Sequence, residues 1–175
     1  MSVIVLTAGH SATDPGAVAN RYTEAELVLE LRDLAAEMLR ERGHTVIEDG
    51  EDGENLPLRY AINLVRQGAV AVELHLNAGP PAACGVEAIS LPRIKPFAQA
   101  LAQRVAEAQG TRVRGDAGWI DQQQSHRGRL GYVEAGGVIL ECFFITNGDE
   151  LARYLADPRV VAGAIAAAID EWVFA

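Results

Sequence analysis

Runs dominated by apolar side chains, alternating with segments of helical period, constrain this chain more than any other feature. Val3-Ile-Val-Leu-Thr-Ala8 is a continuous run of the kind that forms a strand buried on both faces. Ala69 to Leu76, Gly85 to Leu91 and Gly137 to Phe143 read as further strands, with a short one over Thr45 to Glu48. Between them lie helices with recognisable ends. Thr23-Glu-Ala-Glu26 is a capping box, and behind it Leu27, Val28, Leu31, Leu34, Ala35 and Met38 keep one face apolar until Gly43. Asn55 and Pro57 open a second helix, through Leu58, Ala61, Ile62 and Val65, which Gly68 ends. Pro96 begins a third, through Phe97, Leu101, Val105 and Ala108, closed by Gly110. Asp157-Pro158 caps an Ala-rich last helix ending near Trp172. Residues 111–131 lack periodicity and read as one long loop, a feature often tied to function. Strands alternating with amphipathic helices predict an α/β sandwich around a mostly parallel sheet.

With 175 residues, 49% of them hydrophobic and 22% charged, the chain suits one domain with a sizeable core. No repeat or Pro/Ser-rich linker divides it. The net charge of −9 argues against nucleic acid and anionic membrane as partners, since both are polyanions. Two distant cysteines, Cys84 and Cys142, do not make a disulfide framework and suit a reducing compartment. The first residues carry no basic segment ahead of their apolar run, and no stretch approaches the ~20 apolar residues of a membrane span. The expectation is cytoplasmic synthesis without a signal peptide and no stable membrane insertion.

In open α/β sheets, ligands bind beyond the carboxyl ends of the strands. The first run ends in Ala8-Gly9-His10, the third in Glu73-Leu-His75-Leu-Asn77, and the last holds Glu141. Glu24, at the start of the first helix, falls in line with the buried stripe, where a carboxylate is costly unless paired or bound to a cation. Two histidines and a glutamate that leave one position open form a known catalytic zinc arrangement, and a second carboxylate completes metal-assisted hydrolysis. Spacing alone does not single this set out, because no His-Glu-x-x-His element is present. The histidines also suit capping or core roles, and Glu24 suits the positive end of a helix. An unpaired Glu141 in so apolar a strand would be expensive, which favours function.

The same residues carry a resemblance. Gly9-His10 followed by Asp14-Pro-Gly-Ala17, Glu24-Ala-Glu-Leu, Leu56-Pro-Leu-Arg59 with Ala61 and Asn63, Glu73-Leu-His75-Leu-Asn-Ala78, Gly85-Val-Glu87 and Ile139-Leu-Glu141-Cys-Phe-Phe-Ile-Thr-Asn147 follow one another in order. This order resembles the zinc-dependent N-acetylmuramoyl-L-alanine amidases of the amidase-3 type. The resemblance implies that His10, Glu24 and His75 hold zinc and that Glu141 is the general base and acid. It implies an α/β fold of three layers: a mostly parallel, twisted sheet of about six strands with helices on both faces, and the zinc site at the C-terminal strand edge. The substrate implied is peptidoglycan, cut between N-acetylmuramic acid and L-alanine of the stem peptide.

Two positions depart from the common pattern: Cys142 replaces the glycine after the catalytic glutamate, and Ser11-Ala12 replace glycines after Gly-His. The wording after Glu141 is closer to the bacteriophage endolysin branch. A lysin of phage or prophage origin would reach the host wall through a separate membrane-pore protein. Residues 1–175 are expected to form a single catalytic domain with no separate wall-binding domain. Competing readings are a zinc peptidase cutting within the stem, or a non-catalytic peptidoglycan-binding module.

Other residues receive simpler expectations. Asn77, Arg129 and His126 are candidate substrate contacts, although an exposed loop position suits His126 equally. Glu26 serves the capping box, His44 lies at the surface, and Arg59 pairs with a buried acid or steadies the site. Cys142 is a small buried apolar residue. The acids of residues 48–54 form a solvated loop remote from the motifs. In the 111–131 loop, four arginines outnumber two aspartates, a balance suited to a carboxylate-bearing peptide.

Overall fold

The computed structural model describes residues 1–51, 53–125 and 128–174. Six strands form one sheet: β1 (Val3–Ala8), β4 (Thr45–Ile47), β5 (Val70–Asn77), β6 (Glu87–Ser90), β7 (Trp119–Asp121) and β8 (Val138–Phe144), in the order β4-β1-β5-β8-β6-β7. The β4, β1, β5 and β8 ladders are parallel, β6 runs antiparallel to β8, and β7 is parallel to β6. β2 (Val18–Ala19) and β3 (Tyr22–Thr23) make a separate small hairpin.

The two faces of the sheet are covered unequally. Ile4, Leu6, Val72, Leu74, Leu76, Leu140 and Cys142 point into the larger core. There they meet α1 (Glu24–Glu41), α3 (Lys95–Gln109), α5 (Gly148–Ala156) and α6 (Pro158–Phe174). The small residues of α6 let it lie against both α1 and α3. On the opposite face, Val5, Ala71, Ile89 and Ile139 are covered by the short α2 (Leu58–Leu64), the 3-10 turn Val65–Gln67 that follows it and α4 (Gly131–Ala135). Alternation within a strand therefore sends Thr7, Glu73, His75 and Glu141 toward the thinly covered side.

Local signals act as expected at most element ends. Thr23 and Glu26 exchange both capping-box bonds at α1, and Gly110 ends α3 in the left-handed conformation. The supposed long loop is not structureless: Val113 bridges to Val86, and β7 adds an edge strand beside β6. α5 also escapes the periodicity argument. It is only nine residues long and starts on Asn147, whose side chain accepts from the Asp149 and Glu150 amides.

The acidic segment after β4 is solvated only in part: Glu51 and Glu54 are exposed, but its first two acids are not. Glu48 and Asp49 turn inward onto Arg32 of α1, which is fully buried. The Arg32 Nη atoms also donate to the Glu51 and Glu54 carbonyls. His44 is buried rather than at the surface, with Nε2 2.8 Å from Asp170 Oδ1 on α6. Arg59 is exposed and stacks over the Tyr60 ring instead of pairing with a buried acid. No helix among the described residues is long and apolar enough to cross a membrane.

Candidate metal centre and cleft

Three elements converge on one point. β1 delivers His10 two residues beyond its end, β5 delivers His75, and the first turn of α1 delivers Glu24. One carboxylate joins the two rings: Glu24 Oε2 lies 3.0 Å from His10 Nε2, and Glu24 Oε1 lies 3.0 Å from His75 Nδ1. Backbone amides hold that carboxylate in place, Ala17 donating to Oε2 and Leu76 to Oε1. The imidazoles meet edge to face with centroids 5.0 Å apart.

Two glycines make the approach possible. A Cβ on Gly9 would fall 2.2 Å from His75 Cε1, and one on Gly16 would fall 2.6 Å from His10 Nε2 and 2.7 Å from Glu24 Oε2. His10 itself adopts φ +69°, a strained value for a residue with a side chain. The strain is held by neighbours: Asn55 Nδ2 donates to the carbonyls of Ala8, Gly9 and His10, and Asp49 accepts from the Ala8 amide. The acidic segment expected to be remote is therefore the support behind His10.

One donor atom from each of His10, Glu24 and His75 lies within 4.8 Å of the others. Two imidazole nitrogens and one carboxylate oxygen, with a side open to the cleft, fit a zinc ion keeping one exchangeable position. The electrostatics agree. Burial opposes charge on all three groups, yet the hydrogen bonds among them, joined at His75 by one from Glu73, outweigh it. His75 is lifted to about 10, His10 is raised, and Glu24 is held well below the usual carboxylate range.

Glu141, on β8, stands opposite His75 in the ladder and opposite Glu87 on β6. Partners in a ladder point to the same face, so its buried carboxylate borders the group of three. A cleft of about 390 Å³ opens over His10, Glu73 and His75, walled by Pro57, Leu58, Leu130 and Ile139. A neighbouring cavity of about 230 Å³ adjoins Glu141, with Asn77, Glu87 and Arg114 among its lining. Asn77 donates to Glu87 Oε1, and the Arg114 Nε donates to Glu87 Oε2 at 2.6 Å.

The candidate substrate contacts part company here. Asn77 sits beside Glu141 in the cavity, whereas Arg129 is exposed and pairs with Glu134 at 2.6 Å. His126 lies outside the described residues. Glu73 and Glu87 line the two hollows, although sequence reasoning assigned them no role. The alternation Glu73-x-His75-x-Asn77 was the available signal, because every second residue of a strand shares a face.

The model of one protein family, N-acetylmuramoyl-L-alanine amidase of the amidase-3 type, matches residues 4–171. The chain belongs to that family. Among solved structures, a candidate N-acetylmuramoyl-L-alanine amidase from Neisseria meningitidis superposes on this amidase-family chain with a TM-score of 0.90 and 40% identity. The match covers 98% of this chain and 96% of that one. The catalytic domain of CwlV, an N-acetylmuramoyl-L-alanine amidase from Bacillus (Paenibacillus) polymyxa var. colistinus, gives a TM-score of 0.83 at 27% identity, covering 99% and 98%. The uncharacterised YqiI of Bacillus subtilis strain 168 is 25% identical across 97% of this chain and 84% of its own length. The six-stranded sheet with flanking helices is thus the fold of amidase catalytic domains.

Proposed function

We propose that the chain is a zinc-dependent N-acetylmuramoyl-L-alanine amidase that cuts peptidoglycan between N-acetylmuramic acid and L-alanine. The observation that carries the reading is the convergence of His10 Nε2, Glu24 and His75 Nδ1 at the mouth of the cleft, with Glu141 alongside. His10, Glu24 and His75 would hold the ion. Zinc, when bound, supplies Lewis acidity that acidifies water and polarises the scissile carbonyl. Glu141 takes the proton of the attacking water and returns it to the departing L-alanine amine. Pro57, Leu58, Leu130 and Ile139 exclude bulk water and pack on the apolar parts of the substrate. Asn77 orients the substrate beside Glu141, and Arg129 and His126 are further contacts to the stem.

The biological role that fits is lysis of a host wall by a phage- or prophage-derived enzyme. Its support is the wording Glu141-Cys-Phe-Phe-Ile-Thr-Asn147, which is closer to endolysins than to exported bacterial amidases.

A digest of purified peptidoglycan tests both bond and cofactor. The expected products are intact sugar and intact stem peptide, with turnover lost to a chelator and restored by zinc. Cleavage inside the stem would identify a peptidase instead. Glu141→Ala should keep bound zinc and lose about 10²–10⁴ in kcat. Full activity in that variant would remove Glu141 from the mechanism.

A further inference from the structure

Among the acids lining the cleft, Glu73 is a buried one to which the proposed chemistry gives no task. It is 2% exposed and lies in the β1–β5–β8 ladder between Thr7 and Ile139, lining the same cleft as Tyr132 of α4. Its Oε2 is 3.2 Å from His75 Nε2, while Oε1 is buried with no hydrogen-bond partner among the described residues. Burying a half-satisfied carboxylate is unfavourable for folding, and an uncharged side chain would fill the space at lower cost. Such a group persists where it does something other than stabilise the fold.

We propose that Glu73 is a positioning residue that fixes His75 for metal binding. A carboxylate only accepts, so the ring nitrogen facing it, Nε2, carries a hydrogen. Nδ1 is then the nitrogen available for coordination, and Nδ1 is the atom that faces Glu24. With Gly9 against one side of the ring, His75 is fixed both in tautomer and in rotation. A carboxylate behind a ligating histidine also raises its donor strength, and loss of such a partner typically costs 10–100-fold in metal affinity. His10 has a counterpart in Asp14, whose Oδ2 is 3.1 Å from Nδ1, but that side chain is largely exposed and therefore exerts a weaker hold. The two histidines are thus unequally supported, and His75 is the better anchored.

This inference rests on the zinc reading above, and the experiment separates the two. Zinc affinity is measured by chelator competition for the parent, Glu73→Gln and Glu73→Leu, alongside cobalt(II) absorption spectra and thermal unfolding of the metal-free forms. We expect about 10-fold weaker zinc binding for Glu73→Gln and about 100-fold for Glu73→Leu, with altered cobalt bands. Melting temperatures of the metal-free forms show how much of any loss is structural, and the drop in zinc affinity is expected to exceed what they account for. Parent-like affinity and spectra in both variants would overturn the inference and leave the zinc reading standing. A large loss of metal-free stability that accounts for the weaker binding would overturn it in favour of a purely structural role. A parent that binds no zinc would overturn the function itself.

Discussion

At the residue scale, the site is a set of charges that stabilise one another against burial. In the metal-free protein the His75 pKa is lifted to about 10, because Glu24 and Glu73 outweigh the burial that opposes its charge. Glu24 moves the opposite way, held low by the two histidines despite burial. The contribution of His75 to stability is complete below its unfolded pKa near 6.5 and is lost as the pH rises through about 10. That of Glu24 is present above its unfolded value and is lost as the pH falls through its depressed one. This pair should make the metal-free protein most stable in the weakly acidic range of about pH 5–6.5, with melting temperature declining toward pH 10. Thermal scans across that range check it, and His75→Ala should flatten the alkaline decline. An unaltered decline in that variant would show that other groups cause it.

At the element scale, the segment between β4 and α2 matters more than its composition suggests. Glu48 and Asp49 fold onto Arg32, and Asn55 reaches three consecutive carbonyls at the end of β1. Asn55→Ala leaves those acceptors short of a donor in a place where water is scarce. We expect a loss of about 1–3 kcal/mol, read as a lower urea midpoint with unchanged slope, together with weaker zinc binding. Normal metal affinity in a destabilised variant would mean that His10 holds its strained backbone without this support.

Elements with strong local grammar were legible in the sequence: the capping box of α1, Gly110 after α3, the apolar run of β1. β7 was not, because three residues of edge strand carry no usable periodicity and exist only through pairing with β6. The inward turn of Glu48 and Asp49 was hidden for a related reason. Its cause is Arg32, an arginine that the helical pattern treats as a surface residue but that is wholly buried.

At the scale of the whole molecule, function follows from unequal covering of the two sheet faces. Four helices seal one face, while two short helices and a 3-10 turn leave the other accessible where ladder partners align His75 with Glu141. The strands that carry His75 and Glu141, and the strand that ends just before His10, could be inferred from the chain alone, because apolar runs interrupted by polar residues mark them. The support given by Glu73, Asp49 and Asn55 could not, since it depends on which strands become neighbours. That adjacency is a property of topology rather than of any local pattern.

Cys142 follows Glu141 on the same strand but faces the sealed side, fully buried, with its thiol pushed well up by that burial. Cys84 is only half buried, and neither forms a disulfide. The chain therefore contains a clock and its reference. Under a slow alkylating reagent, Cys84 should be modified first. Cys142 should follow only as often as the central strand leaves the core, so its labelling rate, resolved by mass spectrometry, times spontaneous opening of the layer on which the reactive face is built. Prompt labelling of both thiols would show that the layer is far more mobile than its packing implies.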